Sequence, residues 1–75
     1  MTAKEMFEKF GFDEYSIDFK KGEISRIRYT GGNGIWIDIS KKEIEYVEKH
    51  SKCNLPTKFL KAINKQIEEL GWDNE

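Results

Sequence analysis

His50 and Cys53 are the one imidazole and the one thiol of this chain, and they lie three residues apart. A cysteine attacks as its thiolate, and a nearby imidazole can take the proton, so the pair has the elements of a nucleophile and its base. The rest of such a centre is missing: no third group is placed to orient the imidazole, and no set of oxyanion donors accompanies it. The pair therefore reads as a surface histidine and a small, half-buried thiol. A single cysteine also leaves no intramolecular disulfide and no sulfur and imidazole ligand set for zinc. Glu43, Glu45 and Glu48, with Asp38 nearby, are the acidic counterpart, but they lack the ligand spacing of a calcium loop and read as solvated charge on a sheet edge or face. Gly31, Gly32, Asn33 and Gly34 could cradle a phosphate only if a helix followed, and the alternation of Ile35, Ile37 and Ile39 announces a strand instead. No acid, base and nucleophile converge anywhere. The expectation is a non-enzymatic protein with no cofactor and no bound metal.

Trp36, Arg28, Arg26 and Val47 are the residues with a contact chemistry of their own. If the glycine-rich segment is a hairpin loop with Ile27, Tyr29, Ile35 and Ile37 facing a core, Tyr29 falls opposite Ile35, Arg28 opposite Trp36, and Arg26 opposite Asp38. Pairing Ile39 with Ile44 and Ile37 with Tyr46 on the other side sets Val47 opposite Trp36. One outward row then carries Arg28, Trp36 and Val47, and Trp and Arg are the types most often found at interface hot spots. Arg stacked on indole is worth about 0.5 to 1 kcal/mol when exposed. The alternative is that Trp36 only shields the sheet together with the methylenes of Arg28, a local stabilisation with no partner. The same register opposes Asp38 and Glu45, a like-charge pair relieved only by Arg26.

Positioning these residues takes a layered α+β domain. Thr2 and Glu5 form a capping-box pattern, and Ala3, Met6, Phe7 and Phe10 make the apolar stripe of a helix from about Ala3 to Phe10. Gly11 ends that helix and Gly71 ends the last one, each followed by an aromatic that folds back, so that Phe12 should touch Phe7 and Trp72 should touch Ile67. Between them the period changes to two. Tyr15, Ile17 and Phe19 alternate with Ser16, Asp18 and Lys20, and Lys21 with Gly22 makes the turn. Ile24 has the opposite parity to Ile27 and Tyr29, which requires a bulge near Ser25 and Arg26. Ile35, Ile37 and Ile39 then point inward, with Trp36, Asp38 and Ser40 outward.

Ser40 and Glu43 could cap a helix over residues 41 to 50, but the β-branched and aromatic apolar positions favour a fourth strand. Ser51 to Pro56 reads as loop and Thr57 as an N-cap. The closing helix carries Phe59, Leu60, Ile63, Ile67 and Leu70 on one stripe with Ala62 beside them. The expected architecture is helix, antiparallel meander of three to four strands, helix, with both helices on one face and the other face open.

The totals agree with one domain over residues 1–75. A chain of this length buries only about 60% of its unfolded surface, and its apolar fraction of 37% is concentrated in five Phe, three Tyr and two Trp. Thirteen basic and fourteen acidic residues leave a net charge of −1, so bulk charge offers no pull toward nucleic acid or anionic lipid. No apolar run approaches a membrane span and no signal-peptide core follows Met1, so a cytoplasmic protein is expected.

The two end segments, Thr2-Ala3-Lys4-Glu5-Met6-Phe7-Glu8-Lys9-Phe10-Gly11-Phe12 and Leu60-Lys61-Ala62-Ile63-Asn64-Lys65-Gln66-Ile67-Glu68-Glu69-Leu70-Gly71-Trp72, resemble a group of very small phage and prophage proteins of Gram-positive bacteria. The likeness covers both helices and, in the middle, only the hairpin layout. It implies a helix, an antiparallel sheet and a final helix, and it carries no activity or catalytic residues. It also implies a phage setting, in which compact proteins bind and redirect a host protein, defence components included. The leading expectation is therefore a module that binds a host protein through the open sheet face or an exposed strand edge, with a homodimer through the same surface as a variant. The alternative is a nucleic-acid or nucleotide binder that stacks bases on Trp36 and contacts phosphates through Arg26, Arg28, Lys20 and Lys21; the interleaved Asp18, Asp38 and Glu45 argue against it.

Overall fold

The computed structural model describes residues 1–32 and 34–74. The first helix, α1 (Ala3–Lys9), begins with the expected capping box: Thr2 Oγ1 accepts the Glu5 N–H at 3.2 Å, and Glu5 Oε1 accepts the Thr2 N–H at 2.8 Å. It ends where Gly11 takes a left-handed φ of 94°. The Gly11 N–H then reaches the Glu8 carbonyl and the Phe12 N–H reaches the Phe7 carbonyl, each at 3.0 Å, while the Phe12 ring meets Phe7 edge-on at 5.8 Å. Phe10 departs from the buried stripe: it is exposed, resting one edge on Phe59.

Five strands follow as an antiparallel meander in the order of the chain. Lys21 and Gly22, at φ 53° and 80°, form the two-residue turn between β1 (Glu14–Lys20) and β2 (Glu23–Thr30). The pairing steps from Asp18 opposite Arg26 to Phe19 opposite Ile24, so Ser25 is the extra residue of the bulge and Ile24 shares a face with Ile27. The Ser25 hydroxyl fills the gap by donating to the Asp18 carbonyl at 3.1 Å.

The loop into β3 (Trp36–Ser40) runs from Gly31 to Ile35. It is closed by the Gly31 N–H on the Ile35 carbonyl at 2.8 Å, and Asn33, part of the glycine-rich segment read as a hairpin loop, lies outside the described residues. This shifts the expected register by two residues: Tyr29 faces Ile37, Arg28 faces Asp38, Thr30 faces Trp36 and Arg26 faces Ser40. Parity, and hence the choice of face, is unchanged. Two contacts account for the shift. Gly31 sits so close to the Gly11 carbonyl that a Cβ there would lie 3.1 Å from it, which fixes where β2 ends. The displaced register also brings the Arg28 guanidinium onto the Asp38 carboxylate.

Residues after Ser40 form a strand, β4 (Ile44–Glu48), reached through a tight turn in which the Ser40 N–H donates to the Glu43 carbonyl at 3.0 Å. Val47, Tyr46, Glu45 and Ile44 oppose Trp36, Ile37, Asp38 and Ile39 as expected. The sheet has one strand more than anticipated, because β5 (Ser51–Cys53) occupies part of the stretch read as loop. Its turn is Lys49 and His50, both left-handed at φ 49° and 67°. Side chains other than Gly, Asn or Asp are uncommon in that conformation, so composition gave no warning of a hairpin.

A 3₁₀ turn (Thr57–Phe59) leads into α2 (Leu60–Leu70). Thr57 does not cap it; Pro56 stands at the capping position and offers no side-chain bond. Each helical residue turns about 100°, so a stripe through Phe59, Ala62, Ile63 and Gln66 leaves Leu60 on its flank and exposed. Gly71 closes α2 at φ 75°, and Ile67, Leu70 and Trp72 are each partly buried against the margin of the core.

Both helices lie on one face of the sheet. Phe7 stacks on Tyr29 with centroids 4.0 Å apart, and Phe7, Ile27, Tyr29, Ile37, Ile39, Tyr46, Phe59 and Ile63 belong to one buried cluster. Gln66, the polar member of the stripe, accepts the Tyr29 hydroxyl, so its burial leaves no unmet polar atom. Among the described residues, no helix is long and apolar enough to cross a membrane.

Candidate functional site

The face turned away from the helices is organised around Trp36. Strand pairing lines up Glu14, Thr30, Trp36, Val47 and Lys52 across all five strands, with Ser16, Arg28, Asp38 and Glu45 in the neighbouring row and Asp18, Arg26 and Ser40 in the next. Trp36 and Val47 share a row as expected. Arg28 does not: it sits one row over and reaches the indole diagonally, its guanidinium carbon 5.0 Å from the ring centroid.

The Arg28 guanidinium makes a two-pronged contact with Asp38, Nε to Oδ1 at 2.7 Å and Nη2 to Oδ2 at 3.0 Å. This hydrogen bonding raises the arginine above its ordinary value, and the carboxylate beneath it is only 5% exposed. The like-charge opposition of Asp38 and Glu45 is thus relieved by different residues from the one anticipated. Arg28 takes Asp38, and Lys52 takes Glu45 at 2.9 Å. Arg26 instead pairs with Asp18, both side chains about half exposed, its Nε 2.9 Å from Oδ2. Three cation–carboxylate pairs therefore lie side by side on the face.

Trp36 is held from two sides. Val47, beside it in the row, is 6% exposed although it points away from the helices. His50, in the turn after β4, is the other neighbour, its ring meeting the indole edge-on at 6.2 Å. The Lys49 N–H donates to the Gly34 carbonyl at 3.1 Å, which docks the β4–β5 turn on the β2–β3 loop and carries His50 to that position. His50 was invisible as a neighbour of Trp36 because its placement depends on the left-handed turn. Asp38 was expected on this face but opposite Arg26 rather than Arg28, and Lys52 was missed as a member of it; opposite charges at matched strand positions are the signal, readable only with the correct register.

His50 and Cys53 are not joined: the thiol is exposed rather than half buried, and it contacts the Ser51 carbonyl at 3.4 Å. Glu48 accepts the Tyr46 hydroxyl at 2.6 Å, and among the described residues no three His, Cys, Asp or Glu side chains come together in a way that could hold a metal ion. What the face offers chemically is a braced aromatic plate within a charge-neutral border.

Comparison of the chain with protein-family models finds no match. Comparisons with curated proteins and with solved structures find none either.

Proposed function

We propose that this chain is a small, non-enzymatic protein-binding module of phage type that docks a bacterial host protein through its outward sheet face. The observation that carries the reading is the bracing of Trp36 by Arg28, Val47 and His50 on a face that neither helix covers. A plate already held in one orientation loses little side-chain freedom on binding, and Trp and Arg supply the largest contact energies at protein interfaces. The paired charges around it favour a partner surface with interspersed signs over a uniformly charged one.

The test is capture from host lysate with wild type, Trp36→Ala and Arg26→Ala, followed by affinity measurement on the recovered protein. Trp36→Ala should keep the fold and weaken binding by about 30-fold or more, as an anchor residue does. Arg26→Ala, which removes one exposed charge from the border of the same face, should weaken binding far less than Trp36→Ala. A recovered partner that binds wild type and Trp36→Ala equally would contradict the reading.

A second reading rests on the ends of two hairpins. Lys20, Lys21, Lys41 and Lys42 line one surface depression of about 540 Å³, beside Glu23 and Glu43. Nucleic acid or a nucleotide could meet those lysines, but Arg26 and Arg28 would first have to leave Asp18 and Asp38. Retention on single-stranded DNA or RNA that falls steeply with salt would favour this second reading over the first.

A further inference from the structure

We propose that β1 is a self-complementary edge through which two copies of this chain pair antiparallel about a two-fold axis at Ile17. The inference is independent of the Trp36 face. β1 is a terminal strand of the sheet, and all seven of its residues are exposed. Tyr15, Ile17 and Phe19 point to the helix side yet remain 47%, 36% and 66% exposed. Protein edges are ordinarily blunted by proline, by a bulge on the edge itself, or by inward charge. β1 has none of these: the bulged residue, Ser25, belongs to β2. The opposite edge, β5, is three residues long and carries Lys52 at its centre.

The occupant follows from the order of residues along the strand. Asp13 and Glu14 precede the apolar positions, and Lys20 and Lys21 follow them. Antiparallel pairing centred on Ile17 sets Glu14 against Lys20 of the second copy, Tyr15 against its Phe19, Ser16 against its Asp18 and Ile17 against its Ile17, with Asp13 near its Lys21. Every charged end meets its opposite twice, as a two-fold interface requires. Other arrangements fail. Parallel pairing opposes Glu14 to Glu14 and Lys20 to Lys20. Centring on Asp18 sets that carboxylate against itself, and centring on Ser16 sets Glu14 against Asp18. A slip by one residue turns the apolar side of one copy toward the polar side of the other. In the chosen register the apolar side chains of both strands form one patch on the side where both copies carry their helices, and two five-stranded sheets become one. Neither Glu14 nor Lys20 has an ion-pair partner among the described residues of its own chain.

Sedimentation velocity between about 1 μM and 1 mM, the range of weak to moderate self-association, tests the pairing. Wild type should pass from monomer to dimer. K20E/K21E should weaken the dimer at least about tenfold, because like charges then face each other at both ends. The fourfold swap D13K/E14K/K20E/K21E should regain it. Amide exchange on wild type supplies a second readout that needs no variant: protection gained with concentration should be confined to residues 14–20. A wild type that stays monomeric throughout, with those amides open, would overturn the proposal and leave the edge to a strand from another protein. A dimer indifferent to the charge swaps, or one lost in Trp36→Ala, would overturn it in favour of the outward face.

Discussion

β1 and β3 are written in the same alternating pattern, Tyr15, Ile17 and Phe19 in one and Ile35, Ile37 and Ile39 in the other, yet they end in opposite environments. Ile37 and Ile39 are fully enclosed beneath the helices, whereas the β1 side chains on that same face stand between 36% and 66% exposed. The difference is one of coverage. A seven-residue helix is about 10 Å long and a seven-residue strand about 23 Å, so α1 cannot roof an edge strand while also packing on α2 and Tyr29. It reaches β1 through Lys4, whose ammonium lies 5.0 Å from the Tyr15 ring centroid. Alternation therefore tells which side of a strand is apolar, and the length and placement of the covering elements tell whether that side is dry. Strands left bare in this way are where a small domain can meet a partner.

The contrast predicts unequal mutational costs. Ile37→Ala should lower unfolding free energy by about 2 to 5 kcal/mol, the range for deleting a buried aliphatic group. Ile17→Ala in monomeric protein should cost under about 1 kcal/mol, as at surface positions. Denaturant titration of the two variants decides it, and equal costs would mean that β1 is covered after all.

A smaller effect sharpens the account of the enclosed side. Tyr29→Phe leaves the buried Gln66 amide without its donor and should cost about 1 to 3 kcal/mol. The double variant with Gln66→Leu should be more stable than the sum of the single losses implies. Burial, foremost, pushes the Tyr29 phenol from 10 up to about 12. Because the folded value is raised, the stabilisation is complete below pH 10 and is lost as pH climbs from 10 toward 12. Tyr29→Phe should show a shallower alkaline decline, with Tyr46, also raised to about 12 by burial, supplying what remains. An unchanged decline would contradict the assignment.

The ion pairs of the outward face contribute less than the buried contacts of the enclosed side. Asp38→Asn should cost about 1 kcal/mol, since it leaves Arg28 without its carboxylate and water reaches only part of the arginine, whose side chain is 37% exposed. Arg26→Ala should stay within about 0.5 kcal/mol, because both partners of that pair are half in solvent. A loss at Arg26 as large as that at Asp38 would mean the three ion pairs act as one network rather than singly.

Much of this architecture was legible from residue types. The capping box at Thr2, the glycine stops at Gly11 and Gly71, the bulge at Ser25 and the facing of Trp36 with Val47 follow from local rules and parity. Three features were not. The Lys49–His50 turn hides because it uses side chains that only tolerate the left-handed conformation, and so β5 and the approach of His50 to Trp36 were hidden with it. The hairpin register depends on a backbone contact between Gly31 and Gly11 that no local pattern records. The bareness of β1 depends on where α1 lies across the sheet, which is a tertiary fact. For the candidate site, Trp36, Val47 and Arg28 were identifiable as a group, while the pairing of Arg28 with Asp38, of Arg26 with Asp18 and of Glu45 with Lys52 required the register.

Amide hydrogen exchange resolved by residue, on protein dilute enough to be monomeric, tests most directly the claim that the helices enclose the middle strands and leave β1 uncovered. Amides of Ile37 and Ile39 should open only with global unfolding, and those along Glu14–Lys20 should exchange far sooner through local opening. Equal protection in the two strands would contradict it.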